Sequence, residues 1–571
     1  MPFLKIFASS LLILSFVFGQ QDWYPAYDRI HPSLGQRFMV ASQEKHASAA
    51  GFRILEKGGN AIDAAVAVAY ALSVTLPEAG NLAGGGFMLV YIKKEDKVYA
   101  IDYREKAPLA AWKDMFIDES GRVDKNLSRN SLWSSGVPGT VAGLDLVWQR
   151  FGSLDLKTCL DPAIALAERG FPVSYRLHNN LKKAKEAFLE RNQIDLPFYP
   201  DGKTIETHQI LKQPDLAKTI KLIADQGTKV FYHGEIGQKI TQFMSRNKGL
   251  ITADDLALYQ AKFRDALTRD YRGYQVYTMP PPSSGGLHLL QLLKMMEAFP
   301  LKKWGYQDPR ALQIMIEAMS MAYQDRAKFL GDPDFINVPV TALLSPVRLK
   351  KQHALLGKLL AESHRPNPAL SAPKIHLQES HDTTHFSIID EEGNMVSNTY
   401  TLNFRFGNKI MVPGTGMLLN NQMDDFVAKP GVANAYGLLG SEANAIAPEK
   451  RMLSSMAPTL VFKNKRPFLA TGSPGGSRII TIVFQAIINL IDYDMNLAEA
   501  THAPRLHYQW QPDTVFTEKG FASPVLRFLK GKGYQLKTGP TIGSLQSVLR
   551  IDDVSFGASD PRSAGAASIG L

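Results

Sequence analysis

Glu391-Glu392-Gly393 sits between two runs rich in β-branched and aromatic residues, Thr384 to Asp390 and Met395 to Asn403, and this leaves the chain little conformational choice. A three-residue loop with glycine last is a hairpin closed by a type I turn and a bulge, because the third loop position needs positive φ. With Asp390 opposite Asn394, the register is set: Ser387 faces Ser397, His385 faces Thr399 and Thr383 faces Thr401. Directly opposed side chains lie about 4.5–5.5 Å apart at Cβ, so two threonine hydroxyls can touch at the open end. Threonine pairs are ordinary in sheets, and this pairing alone does not single out Thr383.

Ahead of the hairpin the texture is different. Pro366, Pro368 and Pro373 break any regular element between Arg365 and Ser380, which reads as an exposed or mobile loop. From about Ser153 to Arg365 the patterns are mostly helical: Leu156 to Glu168, Tyr175 to Glu190, Leu287 to Ala298 and Ala311 to Leu330. Asn60 to Thr75 is rich in small apolar residues and follows Gly58-Gly59, which predicts a nearly fully buried helix. Gly84-Gly85-Gly86 leads into a short strand, Phe87 to Tyr91. No Gly-Lys-Ser/Thr follows, so close backbone packing explains these glycines better than a phosphate cradle. Further strands are expected at Thr459 to Phe462 and Pro467 to Thr471. Strands mixed with helices, without a fixed repeat, argue for a layered α/β arrangement.

Residues 1–19 read as an export signal: Lys5 is the positive n-region, Ile6 to Phe18 the apolar core, and Val17-Phe18-Gly19 a small-residue exit. The run is interrupted by Ser9, Ser10 and Ser15 and is shorter than the roughly 20 residues of a spanning helix, so no membrane span is expected after its removal. Cys159, the single cysteine, cannot form an internal disulfide and reads as a small buried hydrophobe. The formal net charge of +10 raises the question of nucleic-acid binding. Lysines and arginines are spread along the chain, however, and patches such as Lys182-Lys183 and Lys350-Lys351 are interleaved with apolar residues, as on solvated helix faces.

Several separated blocks change the standing of Thr383. They are Asp382-Thr383-Thr384-His385, Thr399-Tyr400-Thr401-Leu402-Asn403, Asn420-Asn421-Gln422-Met423-Asp424-Asp425, Leu453-Ser454-Ser455-Met456 and Gly472-Ser473-Pro474-Gly475-Gly476-Ser477-Arg478. In this order and spacing they resemble the γ-glutamyltransferase (glutathione hydrolase) family of N-terminal-nucleophile hydrolases. The likeness extends to Asp102-Tyr103-Arg104-Glu105, Gly136-Val137-Pro138-Gly139 and Gly557 to Arg562.

That resemblance implies an αββα sandwich, two stacked antiparallel sheets between helical layers. It implies self-cleavage between Asp382 and Thr383, giving a large subunit, 20–382, and a small one, 383–571, that together form one sandwich. Thr383 would become both nucleophile and, through its new α-amine, general base, with Thr401 orienting its hydroxyl. Arg104, Ser454 and Ser455 would hold the α-carboxylate of a γ-glutamyl group, and Asp425, Gln422 and Asn403 its α-ammonium. The N–H groups of Gly475 and Gly476 would form the oxyanion hole. Ala428 to Pro448 resembles the family's lid loop, with Tyr436 closing over the glutamyl group and Arg478 bracing it. The expected substrates are glutathione and other γ-glutamyl compounds, with water or an amino acid or peptide as acceptor, in the periplasm or outside the cell.

No cofactor is implied. His376, His381 and His385 with Glu379 raise a metal site, but their spacing matches no zinc signature. Two other readings remain: a non-catalytic exported binding protein, which would have no chemical reason to keep the clamp residues, and a cephalosporin (glutaryl) acylase of the same family.

Overall fold

The computed structural model describes residues 29–364, 382–539 and 541–571. The export segment, the proline-broken loop, and His376, Glu379 and His381 of the metal reading lie outside them.

The Glu391–Gly393 turn forms as its chemistry dictates. Gly393 has φ 93° and Thr383–Ile389 pairs antiparallel with Met395–Thr401, with Thr383 opposite Thr401, His385 opposite Thr399 and Ser387 opposite Ser397. Asp390 pins the turn by accepting from the backbone N–H groups of Gly393 and Asn394 and from Asn394 Nδ2, at 2.7–2.9 Å. It also accepts from the N–H of Ala61 at 2.9 Å, which ties the hairpin to a helix N-terminus far back in the chain.

This hairpin occupies the middle of a seven-stranded sheet. Its order is Ala567–Gly570, Met39–Ser42, Thr383–Ile389, Met395–Thr401, Gly85–Ile92, Lys97–Tyr103 and Lys262–Arg264, and every pair is antiparallel. A second seven-stranded antiparallel sheet lies against it, in the order Ser33–Gly35, Val554–Ser559, Gln546–Ile551, Arg466–Thr471, Thr459–Lys463, Tyr274–Thr278 and Leu267–Tyr271. Both sheets draw strands from before Asp382 and from after it.

Successive residues of a strand face opposite sides, and here both sides are buried. Val40, Met88, Val90 and Val396 pack outward onto the helices Lys45–Glu56 and Ala61–Thr75, against which Leu156–Arg169 packs in turn. Met39, Ala41, Phe87, Leu89 and Met395 point inward, into a core shared with the second sheet and with the helices Ser284–Met296, Pro309–Phe329 and Ile479–Ile491. The result is the expected sandwich of two sheets between helical layers. Every residue of Ala61–Thr75 is buried. Its start is fixed by a reciprocal cap: Asn60 Oδ1 accepts from Ile62 and Asp63, and Asp63 returns the bond to the Asn60 N–H. Cys159 lies buried beside Asp63, 3.8 Å from its Oδ1.

The stretch from Ser153 to Arg365 is mostly helical as expected, but it also contains a hairpin that the sequence reading left out, Leu267–Tyr271 with Tyr274–Thr278 on the edge of the second sheet. Arg272 and Gly273, both with positive φ, make its two-residue turn. No helix among the described residues is long and apolar enough to cross a membrane.

Candidate active site

Because Thr383 faces Thr401, its hydroxyl points along the sheet toward its partner and donates to Thr401 Oγ1 at 3.5 Å. The Thr401 hydroxyl donates onward to the Asp382 carbonyl at 3.4 Å and accepts from the Asn403 N–H at 2.9 Å. The Asp382–Thr383 peptide and two hydroxyls thus form one relay. The glycine loop of the neighbouring strand packs directly behind it. A Cβ on Gly84 would stand 2.2 Å from the Thr401 carbonyl oxygen, and one on Gly85 2.6 Å from Glu105 Oε2. Close backbone approach is therefore what these glycines serve.

Thr383 and Thr401 open onto a cavity of about 330 Å³, whose wall also includes Arg104, Asn403, Gln422, Asp425, Tyr436, Ser454, Ser455 and Gly476. Stretches far apart in the chain thus converge on a few side chains, and of the site residues singled out in sequence Gly475, Asp382 and Arg478 are absent from this wall. Asp382 lies on the far side of Thr383, 3.0 Å from Arg405 Nη2.

The charged residues expected to grip opposite ends of a ligand instead meet each other here. Arg104 Nη2 donates to Asp425 Oδ2 at 2.5 Å, and Gln422 Nε2 donates to the same oxygen at 2.7 Å. Three buried polar atoms on this wall lack a hydrogen-bond partner: Arg104 Nη1, Gln422 Oε1 and Ser455 Oγ. A buried polar atom left unmatched costs stability, so these atoms are open to a hydrogen bond from a ligand or a water. Arg104 Nη1 lies 3.5 Å from Glu105, whose carboxyl is pushed up to about 7 by burial against the pull of Arg104. Asn403 adopts φ 78°, the left-handed region, and is held there by its Nδ2 donating to the Asn421 carbonyl at 2.9 Å.

Gly475 and Gly476 have φ 140° and 55° and lead into the helix Ile479–Ile491. A Cβ on Gly476 would press to 2.9 Å from the Tyr436 ring. Tyr436 itself is clamped shut: its hydroxyl donates to Asn403, 2.8 Å from Oδ1 and 2.9 Å from the carbonyl, and its ring meets Phe404 edge-on. Its loop is anchored by Asn434, which accepts from Tyr436 and Leu438, and by Asp424, which accepts from Ala435. Arg478, the expected brace, lies over the Phe516 ring.

Sequence reasoning passed over several participants. Gln509 donates to the Tyr436 carbonyl at 3.0 Å, bracing the loop from beneath. Asn420 binds the Gly136 backbone and the Ala83 carbonyl, while Asn421 binds Phe404 and Arg129, so this pair staples four segments behind the cavity. Arg326 also lines the cavity. It is buried, donates from Nε to Ser284 Oγ at 3.0 Å, and burial pulls its guanidinium down to about 10. Only the Asn-Asn pair carried a signal in sequence, as part of a quoted block. His385 bridges Thr399 and Ser387 through its two ring nitrogens and is held neutral by burial, its pKa down at about 3.

A threonine at the start of a central strand, at the mouth of a polar cavity inside an αββα sandwich, defines an N-terminal-nucleophile hydrolase. Within that class, a family model described as Gamma-glutamyltranspeptidase matches residues 47–570, and the chain belongs to this family. It is 47% identical over 538 residues to a glutathione hydrolase proenzyme of Escherichia coli K12, covering 94% of this chain and 92% of that one. It is 37% identical over 519 residues to an Acylase ACY 1 proenzyme of Pseudomonas sp. SE83, covering 90% and 89%. Among solved structures, a cephalosporin acylase from Bacillus halodurans superposes with a TM-score of 0.83 at 26% identity, over 97% of this chain and 99% of that one.

Proposed function

We propose that the chain is an autoprocessed γ-glutamyl transferase and hydrolase acting on glutathione and related γ-glutamyl compounds. The observation that carries this reading is the single cavity in which a threonine pair faces an arginine, an aspartate and two serines, with unmatched donors and acceptors on its wall.

In the precursor, the Thr383 hydroxyl attacks the Asp382 carbonyl, the acyl group moves from nitrogen to oxygen, and water releases the ester. The new α-amine has an unperturbed pKa of about 7.7–8.0, suited to a base near neutrality. In turnover, Thr383 Oγ bonds to the γ-carbonyl carbon as its proton passes to that amine. N–H groups of Gly475 and Gly476 receive the oxyanion. The C–N bond breaks as the ammonium returns the proton to the leaving nitrogen. Water or an acceptor amine then attacks the ester carbon, gives its proton to the amine, and frees Thr383 Oγ to take it back.

The clamp explains the choice of acyl group. A γ-glutamyl α-carboxylate would take Arg104 Nη1 with the Ser454 and Ser455 hydroxyls, and the α-ammonium would take Asp425, Gln422 Oε1 and Asn403. A zwitterion replaces one internal ion pair with two external ones. A glutaryl group, lacking the ammonium, leaves the acidic end unmatched, which disfavours the acylase reading. The closed Tyr436 loop and the higher identity to a glutathione hydrolase than to an acylase point the same way.

Residues 1–19 are proposed to direct export to the periplasm or beyond. The mature enzyme is proposed to pair 20–382 with 383–571. Intact mass and denaturing electrophoresis test this: two species, the lighter beginning at Thr383, are expected. A single uncut species with full activity would overturn the mechanism. Faster cleavage of glutaryl-7-aminocephalosporanic acid than of γ-glutamyl-p-nitroanilide would overturn the substrate assignment.

A further inference from the structure

On the helix Pro309–Phe329, Tyr323 and Arg326 stand one turn apart and so share a face. The Tyr323 hydroxyl donates to the Ser477 carbonyl, at the end of the glycine loop. Arg326 lines the cavity together with Ser454 and Ser455 and is only 6% exposed. Its Nε donates to Ser284 Oγ at 3.0 Å, and its two Nη groups have no hydrogen bond or ion pair among the described residues. Asp425 acts on it through space, but that carboxylate is hydrogen-bonded to Arg104 and Gln422. Burial pulls the Arg326 guanidinium down to about 10, which still leaves it charged at neutral pH. A guanidinium only donates, so its Nη hydrogens are available to an anion that enters the cavity.

The bond to Ser284 does more than anchor the arginine. Because Arg326 can only donate, Ser284 Oγ must accept from it, and the Ser284 hydrogen turns to the Ser454 carbonyl at 2.7 Å. The Ser284 N–H donates to the same carbonyl at 2.8 Å, and the Ser454 N–H donates to the Pro282 carbonyl at 2.9 Å. Packing leaves no slack at this junction: a Cβ on Gly285 would stand 2.7 Å from the Ser455 carbonyl oxygen and 2.4 Å from that of Met456. The start of the helix Ser284–Met296 thereby holds the serine turn, and Arg326 sets the direction of one bond that holds it. In the turn so fixed, Ser454 Oγ accepts from the Met456 N–H at 3.1 Å, and Ser455 Oγ is unmatched.

We infer that Arg326 is a specificity-determining residue for the acyl half of the substrate: it adds a second positive charge, alongside Arg104, for the α-carboxylate, and it holds the Ser454–Ser455 turn through Ser284. The inference deepens the γ-glutamyl reading above and rests on it. No bond is made or broken at Arg326. Arg104 is hydrogen-bonded to Asp425 and lies 3.5 Å from Glu105, so alone it offers an incoming carboxylate a partly neutralised charge. Arg326 makes up the difference, because no carboxylate is bonded to it among the described residues. The two cations also repel, Arg104 pushing the Arg326 guanidinium down, and an anion entering the cavity relieves that repulsion.

The test compares γ-glutamyl-p-nitroanilide with 4-aminobutyryl-p-nitroanilide, which lacks only the α-carboxylate. Arg326→Met should shrink the preference for the γ-glutamyl substrate, measured as the ratio of kcat/KM values, by about tenfold, the size of one hydrogen bond to a charged group. The loss should appear in KM rather than in kcat. Arg326→Lys should win back about threefold of it, and a Lys variant no better than Met would overturn the role given to charge. Ser284→Ala severs the relay and keeps the guanidinium; it should shrink the same preference by about fivefold, and it decides the matter should Arg326→Met fail to fold. A preference unchanged in these variants, with or without a general loss of rate, would overturn the inference. A wild type unable to cleave γ-glutamyl-p-nitroanilide would instead overturn the parent reading.

Discussion

In the proposed mechanism the Thr383 hydroxyl reaches first the Asp382 carbonyl and then a substrate carbonyl, and its only side-chain hydrogen-bond partner among the described residues is Thr401. Thr383→Ala removes the group needed in both steps. Electrophoresis should show one uncut band, and activity should fall below detection. Thr401→Ala leaves the nucleophile but not its orientation, so cutting should slow and kcat should drop by about 10²-fold, in the range lost when a positioning group is removed. At the acidic clamp, Asp425→Asn keeps the shape but loses the charge that Arg104 and Gln422 both address. Initial-rate kinetics should show KM for γ-glutamyl-p-nitroanilide rising roughly 10²-fold, the cost of about 3 kcal/mol when one partner of a buried charge pair is lost. A KM within threefold of wild type would remove Asp425 from that role.

At the scale of elements, the hairpin shows why some of this site was readable. Turn chemistry and a period of two act over a dozen residues, so Asp390, Gly393 and the Thr383–Thr401 pairing follow from local rules. Asp390→Ala should lower stability by about 1–3 kcal/mol in denaturant titration, because it strands the N–H groups of Gly393, Asn394 and Ala61 together. Ser454, Ser455 and Asp425 carry no such local signal; only a resemblance across distant blocks singled them out. Gln509 and Arg326 were illegible altogether, since each joins the site through tertiary packing with partners remote in sequence. The Leu267–Thr278 hairpin was missed for a related reason: an edge pair with half-exposed strands offers weak alternation between long helical stretches.

At the scale of the whole molecule, burial of histidine sets an acid limit. His288, His385 and His507 are fully enclosed and held neutral, each with its pKa down at about 3. Each folded-state value lies below the unfolded one of about 6.5, so the folded form binds fewer protons, and stability present above pH ~6.5 is lost as pH falls toward 3. At pH 5 each should cost roughly 2 kcal/mol relative to neutral pH. Melting temperature should decline steadily below pH 6.5, and His507→Gln should shallow that decline. A flat profile down to pH 4.5 would show that these rings take up protons in the folded state.

The interleaving of strands from both sides of Asp382 has a consequence for assembly. A cut at this point alters connectivity without creating a surface along which two bodies could part, since Thr383–Ile389 is flanked by Met39–Ser42 and Met395–Thr401 by Gly85–Ile92. The products of the proposed cut would thereby be interleaved through hydrogen-bonded neighbours rather than docked. Mixing separately expressed halves should regenerate little enzyme, whereas the unbroken precursor folds as one polymer and only afterwards becomes two. On the proposed processing, scission would act as a one-way ratchet: the information needed to reach the structure would reside in a covalent chain that the finished protein no longer possesses.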